Sequence, residues 1–102
     1  MAVYFEVISR LEKRIRVTES HWDFIVHYKH LEIEGMEQEV QETLVAPEAV
    51  RVSQEDEDVM LYYRKFRRHY VCVVCKHLDR DGFIITCYLT NKIKEGRQVW
   101  PR

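Results

Sequence analysis

Glycine and proline are scarce in this 102-residue chain, three and two respectively. That leaves little room for flexible linkers or low-complexity segments, and no internal repeat is present. Long apolar runs are missing too. The longest fully apolar stretch, residues 70–75, is far too short to cross a bilayer. The opening Met1-Ala2-Val3-Tyr4-Phe5-Glu6 has no basic head and no long apolar run, so no signal peptide is expected there. Cysteines are few and odd in number, three, which points to reduced thiols in a cytoplasm. There is no Gly-rich phosphate loop, no nucleophile elbow, no HExxH and no defensible Ser-His-Asp ordering.

What is present is an ordinary globular composition, 46% hydrophobic and 32% charged, in one domain spanning residues 1–102. The net charge of −1 hides an asymmetry: residues 1–60 sum to −8 and residues 61–102 to +7. A basic half attracts polyanions even when the total is near zero. The plainer reading is that the two halves neutralise each other on folding.

Alternation at 3–8 and 14–18 predicts two short strands, with Ile15 and Val17 set against Arg14 and Arg16. Thr18 or Ser20 offers an N-cap to a helix of about three turns that ends near His30. Trp22, Ile25 and Val26 lie on its apolar face, and His30 borders that face at the helix end. A second helix runs from about 36 to 44, with Met36, Val40 and Leu44 inward and an acidic face outward, and Pro47 stops it. The period then changes to two. Strands are expected at 50–52, 59–66, 70–75 and from Gly82, with a basic tail at 92–102 carrying Trp100. The 70–75 strand is apolar on both faces and therefore central. The whole predicts an α+β domain in which an N-terminal strand hairpin and two helices pack on an antiparallel β-meander.

The 82–90 strand has two distinct faces. Strict alternation assigns Phe83, Ile85, Cys87 and Leu89 to the core and Ile84, Thr86, Tyr88 and Thr90 to a polar face. Such a face is either simply solvated or presents hydroxyls to a ligand. Cys72 and Cys75 invite a metal or redox reading, but a separation of three on a strand sends the thiols to opposite faces, and no second pair completes a zinc site. No metal and no cofactor are expected. His21, His27 and His30 crowd one helix; His27 and His30 are neighbours on its surface and could in principle bind a metal, but there is no HExxH spacing and the nearby acids complete no obvious site. The remaining residue types suit metal-free phosphodiester chemistry, which needs a base, a cation on the phosphate and an acid.

Several pieces, in order, resemble one family: Trp22-x-x-Ile25 and His30-x-Glu32, then Val40-x-x-Thr43-Leu44-x-x-Pro47-x-x-Val50, then Tyr63-Arg64. Residues 70–76 and Asp81-Gly82-Phe83-Ile84-Ile85-Thr86-Cys87-Tyr88 complete the set. From about Ile15 to Trp100 the chain resembles the phage-associated barnase/EndoU/colicin/RelE-like nuclease superfamily. Leu31 stands where the family often has Pro, and Cys87 where it often has Ala. The resemblance implies helices packed on an antiparallel sheet and a metal-independent ribonuclease, a toxin or effector module with an antitoxin or immunity protein as a partner. Residue by residue it implies a catalytic set of His30, Arg64, Thr86 and Tyr88. RNA would then run along Arg67, Arg68, Lys92 and Lys94, with Tyr62 stacking on a base. The rival expectation is a non-catalytic domain of the same fold that binds protein or RNA.

Overall fold

A computed structural model of the chain describes residues 2–93 and 96–102. Strands β1 (Val3–Ile8) and β2 (Arg14–Thr18) form the expected antiparallel hairpin. Helix α1 (Glu19–Phe24) follows at once, because the Thr18 hydroxyl accepts the His21 amide and caps its N-terminus. The helix then widens into a π turn (Ile25–Lys29) and a 3-10 turn (Leu31–Ile33). Helix α2 (Glu37–Val45) leads into β3 (Ala49–Val52), β4 (Val59–Phe66), β5 (His69–His77), β6 (Asp81–Thr90) and β7 (Gln98–Trp100). Among the described residues no helix is long and apolar enough to cross a membrane.

The seven strands make one sheet in the order β1-β2-β6-β5-β4-β3-β7. The domain is α+β as expected, but the sheet is mixed rather than a pure antiparallel meander. β2 pairs with β6 in parallel, Ile15 opposite Gly82, which welds the N-terminal hairpin to the rest. That close approach depends on glycine. A Cβ at Gly82 would stand 2.5 Å from the Lys76 carbonyl oxygen and 2.8 Å from Ile15 Cδ1. β5 occupies the middle, which accounts for its apolarity on both faces. The tail contributes an unforeseen strand, β7, paired with the outer edge of β3.

Register assigns every side chain to a face, since paired residues project together. One face carries Ile15, Val17, Tyr62, Val71, Val73, Cys75, Ile84 and Cys87, buried with Trp22, Ile25, Val26, Ile33, Val40 and Leu44 from the helical segments. This is the core. The second face carries the rows Leu61–Val74–Thr86 and Tyr63–Cys72–Tyr88.

Strict alternation fails in β6. Val74 pairs with Thr86 but the next residue, Cys75, pairs with Ile84, so Ile85 is an extra residue in a β-bulge. Ile84 therefore joins Cys87 in the core, while Phe83 and Ile85 are 41% and 37% exposed. Of the expected core set, Cys87 and Leu89 hold their places, while Phe83 and Ile85 are corrected to exposed positions and Ile84 replaces them. Thr86 and Tyr88 keep their shared face because the bulge precedes both.

Candidate active site

His30 owes its position to the π turn. Its amide donates to the Ile25 carbonyl at 2.7 Å, closing a loop one residue wider than an α-turn. The chain then leaves the helix at His30 (φ −142°, ψ 79°), and the following 3-10 turn runs beside β6. β2 pairs with β6 only through Phe83, so this turn lies by the half of β6 that β2 leaves unpaired. Glu32 Oε2 stands 3.4 Å from His30 Nδ1, and the imidazole is about a third exposed. Its ring centroid is 5.3 Å from that of Tyr88, at an interplanar angle of 37°.

Tyr88 projects from the second face. Burial is the main cause that pushes its phenol well above the ordinary value, with Cys72 and Tyr63 adding to it, so it keeps its proton at neutral pH. Tyr88 also lines a pocket of about 550 Å³ with Leu61, Lys92, Ile93 and the polar turn at Ser53, Gln54 and Glu55. Thr86 lies two residues back on the same face, and its Oγ1 is buried with no hydrogen-bond partner among the described residues. A buried hydroxyl without a partner costs free energy.

Of the sequence-derived residues, His30 touches Tyr88 and Tyr88 shares a pocket with Lys92, while Thr86 lies on the same strand face as Tyr88 without lining that pocket. Others stand apart. Arg64 pairs with Val71 of the core row, which places it on the opposite face from Tyr88. Its Nη1 donates to the Ala46 carbonyl at 2.6 Å, at the C-terminal end of α2. The expected catalytic set of His30, Arg64, Thr86 and Tyr88 is therefore corrected: Val71, which pairs with Arg64, alternates with Cys72 and Val74, which pair with Tyr88 and Thr86, so the sheet separates Arg64 from them. Tyr62 is also corrected as a base-stacking residue. It is fully buried, donates to Ser9 Oγ at 2.8 Å and lies 2.9 Å from His77 Nε2.

Arg67 and Arg68 are exposed in the β4–β5 turn, with Arg67 in the left-handed region (φ 56°) and its guanidinium 5.2 Å over Phe66. Lys65, Tyr70 and Thr90 form the row next beyond Tyr88 on the second face. Lys65, Arg67, Arg68 and Lys92 hence share the end of the sheet where β6 finishes. Lys94 lies outside the described residues.

Three contributors were not singled out from the sequence: Glu32, which stood in the quoted His30-x-Glu32 pattern without a role, the 53–55 turn, and Lys65, which alternates with Tyr63 and was legible in principle.

The other metal-capable types are dispersed. Cys72 and Cys75 are fully buried on opposite faces, and burial raises the thiols of Cys75 and Cys87, the latter to about 12. His21 Nε2 donates to the Ile85 carbonyl at 2.8 Å, and His27 Nδ1 to the Asp23 carbonyl at 3.0 Å. Among the described residues no group of three or more His, Cys, Asp and Glu side chains is placed to hold a metal ion.

Comparison with family models, with curated proteins and with solved structures finds no match to the chain.

Proposed function

We propose that this protein is a metal-independent ribonuclease acting at the His30–Tyr88 pair. The observation that carries the reading is the contact of an imidazole, steadied by Glu32, with a half-buried phenol at the edge of a pocket that also holds Lys92. Glu32 engages Nδ1 and leaves Nε2 to take the 2′-hydroxyl proton. The 2′ oxygen then closes on phosphorus, the 5′ oxygen departs and is protonated by water. Charge developing on the phosphate oxygens is met by the Lys92 ammonium and by the Tyr88 hydroxyl. Lys65, Arg67 and Arg68 carry the RNA backbone beyond the pocket. The resemblance to barnase- and RelE-like nucleases supports the same reading, and with it a toxin or effector role in the cytoplasm and an antitoxin or immunity protein as partner.

A second reading, RNA binding without cleavage, is favoured by one observation. Arg64 is spent on α2, so among the described residues Lys92 is the one cation lining the pocket. One experiment separates the two. A short labelled RNA is incubated with wild type and His30→Ala in chelator-containing buffer. Cleavage that leaves a 2′,3′-cyclic phosphate, and that falls about a hundred- to ten-thousandfold in the variant, is expected. Equal cleavage by both proteins rules out the His30 mechanism, and binding without cleavage by wild type selects the second reading.

A further inference from the structure

Three polar side chains are buried together at the end of the sheet away from Tyr88. Ser9 is 4%, Tyr62 0% and His77 7% exposed. Ser9 follows β1, Tyr62 belongs to β4 and His77 ends β5, so the cluster joins the N-terminal hairpin to the centre of the sheet. A buried polar network is costly unless its hydrogens are placed, which makes their positions informative.

Those positions can be assigned in turn. The Tyr62 hydroxyl donates to Ser9 Oγ at 2.8 Å, and a phenol has one proton to give. The 2.9 Å contact between Tyr62 Oη and His77 Nε2 must therefore take its proton from the imidazole. Burial first, and the charge of Lys13 second, hold His77 neutral by lowering its pKa to about 4. Nε2 then carries the one ring proton and Nδ1 keeps a lone pair. Nδ1 has no hydrogen-bond partner among the described residues, yet the buried side-chain atom left without one there is Thr86 Oγ1. Nδ1 is thus open, and the space that His77 lines is a pocket of about 380 Å³.

The remaining lining restricts what can enter. Leu11, Met60, Leu78 and Val99 supply aliphatic walls. The charged lining residues balance, Glu57 and Asp58 against Lys13 and Arg102, and Lys13 Nζ is already bonded to the Leu78 and Asp79 carbonyls. An ion would lose its hydration there and meet no net opposite charge. Apolar walls around one fixed acceptor, at this volume, suit a small uncharged molecule.

We propose that the pocket at His77 is a second ligand site, taking an uncharged molecule with an apolar body and one hydrogen-bond donor, such as an alcohol, a phenol or an N–H heterocycle, on Nδ1. The site is independent of the ribonuclease reading. His77 pairs with Gly82 at the start of β6 and shares the core face with Cys75, whereas Tyr88 lies toward the other end on the second face.

The test holds the body constant and changes the head. Cyclopentanol, methoxycyclopentane, cyclopentylammonium and cyclopentanecarboxylate are titrated into wild type and Tyr62→Phe. Long-range proton–nitrogen correlation spectra follow the His77 ring, in which a lone-pair nitrogen and an N–H nitrogen resonate far apart. In wild type Nδ1 should appear unprotonated, and cyclopentanol should shift it. The ether, which cannot donate, should bind about tenfold more weakly, and both ions should be weaker than the alcohol. Tyr62→Phe removes the acceptor of Nε2–H, so the proton should move to Nδ1 and the ether should then bind as well as the alcohol. A protonated Nδ1 in wild type, or no response to any of the four compounds, overturns the site. Equal binding of alcohol and ether to wild type, or a preference for either ion, overturns it as well. The wild-type series decides the matter alone if the variant does not fold.

Discussion

The imidazole of His30 and the phenol of Tyr88 are in ring contact, centroids 5.3 Å apart, although one ends a helical segment and the other sits on the sheet face away from the helices. The contact is made around the part of β6 that β2 leaves unpaired. It brings the imidazole against a half-buried phenol whose pKa burial raises further above neutrality.

Tyr88→Phe separates the two parts of that contact. The ring and its packing against His30 remain, and only the hydroxyl goes. Cleavage of RNA should fall by about two to three orders of magnitude, the loss expected for one donor to developing charge. Thermal stability should move by about 1 kcal/mol or less, the net worth of a typical hydrogen bond. Unchanged cleavage would remove the phenol from the proposed mechanism.

Tyr62→Phe tests the other tyrosine. The hydroxyl of Tyr62 is shared between Ser9 and His77 inside the protein. Ser9 Oγ retains the Lys13 amide as a donor at 3.3 Å, but His77 Nε2 loses its partner. The expected cost is about 1–3 kcal/mol in urea unfolding, with RNA affinity unaltered. Weaker RNA binding at unchanged stability would contradict the buried role.

The same network predicts a pH dependence. Burial first, and the charge of Lys13 second, lower the pKa of His77 to about 4, against an ordinary 6.5, while Asp58 partly opposes them. As pH falls below 6.5 the unfolded chain takes up a proton at this position that the native state refuses until about 4. Stability must then fall with pH across that window. Asp56, whose carboxylate is held low chiefly by its hydrogen bond with Lys76, loses its contribution only below about 3.8, outside the window. Unfolding midpoints from pH 7 to 4.5 should decline in wild type, and decline less steeply in His77→Gln. Identical slopes would assign the effect to other groups.

How much of this was legible before the structure follows from how local each signal is. The β1–β2 hairpin and β4 lie where alternation put them, because neighbouring residues carry that pattern. The centrality of β5 was likewise written in Val71, Val73 and Cys75 on one face and Cys72 and Val74 on the other. The bulge at Ile85 was not legible. One extra residue inverts the alternation, and nothing in Ile84-Ile85-Thr86 marks which of them is extra. The parallel β2–β6 pairing and β7 depend on partners distant in the chain, so local periodicity is silent about them. In the site, the polar types were found one by one. Which of them share a face was decided by register, which put Thr86 and Tyr88 on one face and Arg64 on the other, while His30 reaches Tyr88 only because its helical segment ends beside β6.

Arg64 therefore gives the sharpest remaining test, because resemblance and geometry assign it different work. By resemblance it holds the phosphate. By geometry its guanidinium donates to the Ala46 carbonyl, where α2 ends with unsatisfied carbonyls and the negative end of its dipole. A cation there is worth about 0.3–1 kcal/mol at an exposed position. Arg64→Ala should lower stability by about that amount and leave the cleavage rate within about twofold, whereas Lys92→Ala should leave stability unchanged and reduce cleavage at least tenfold. Arg64→Lys should recover most of the stability, since a Lys ammonium also complements a helix C-terminus. The informative measurement is cleavage by Arg64→Ala at a temperature where the variant is fully folded. A loss of a hundredfold or more there would show that the phosphate reaches the helix-covered face, and the site would have to be moved from Tyr88 to the groove beside α2.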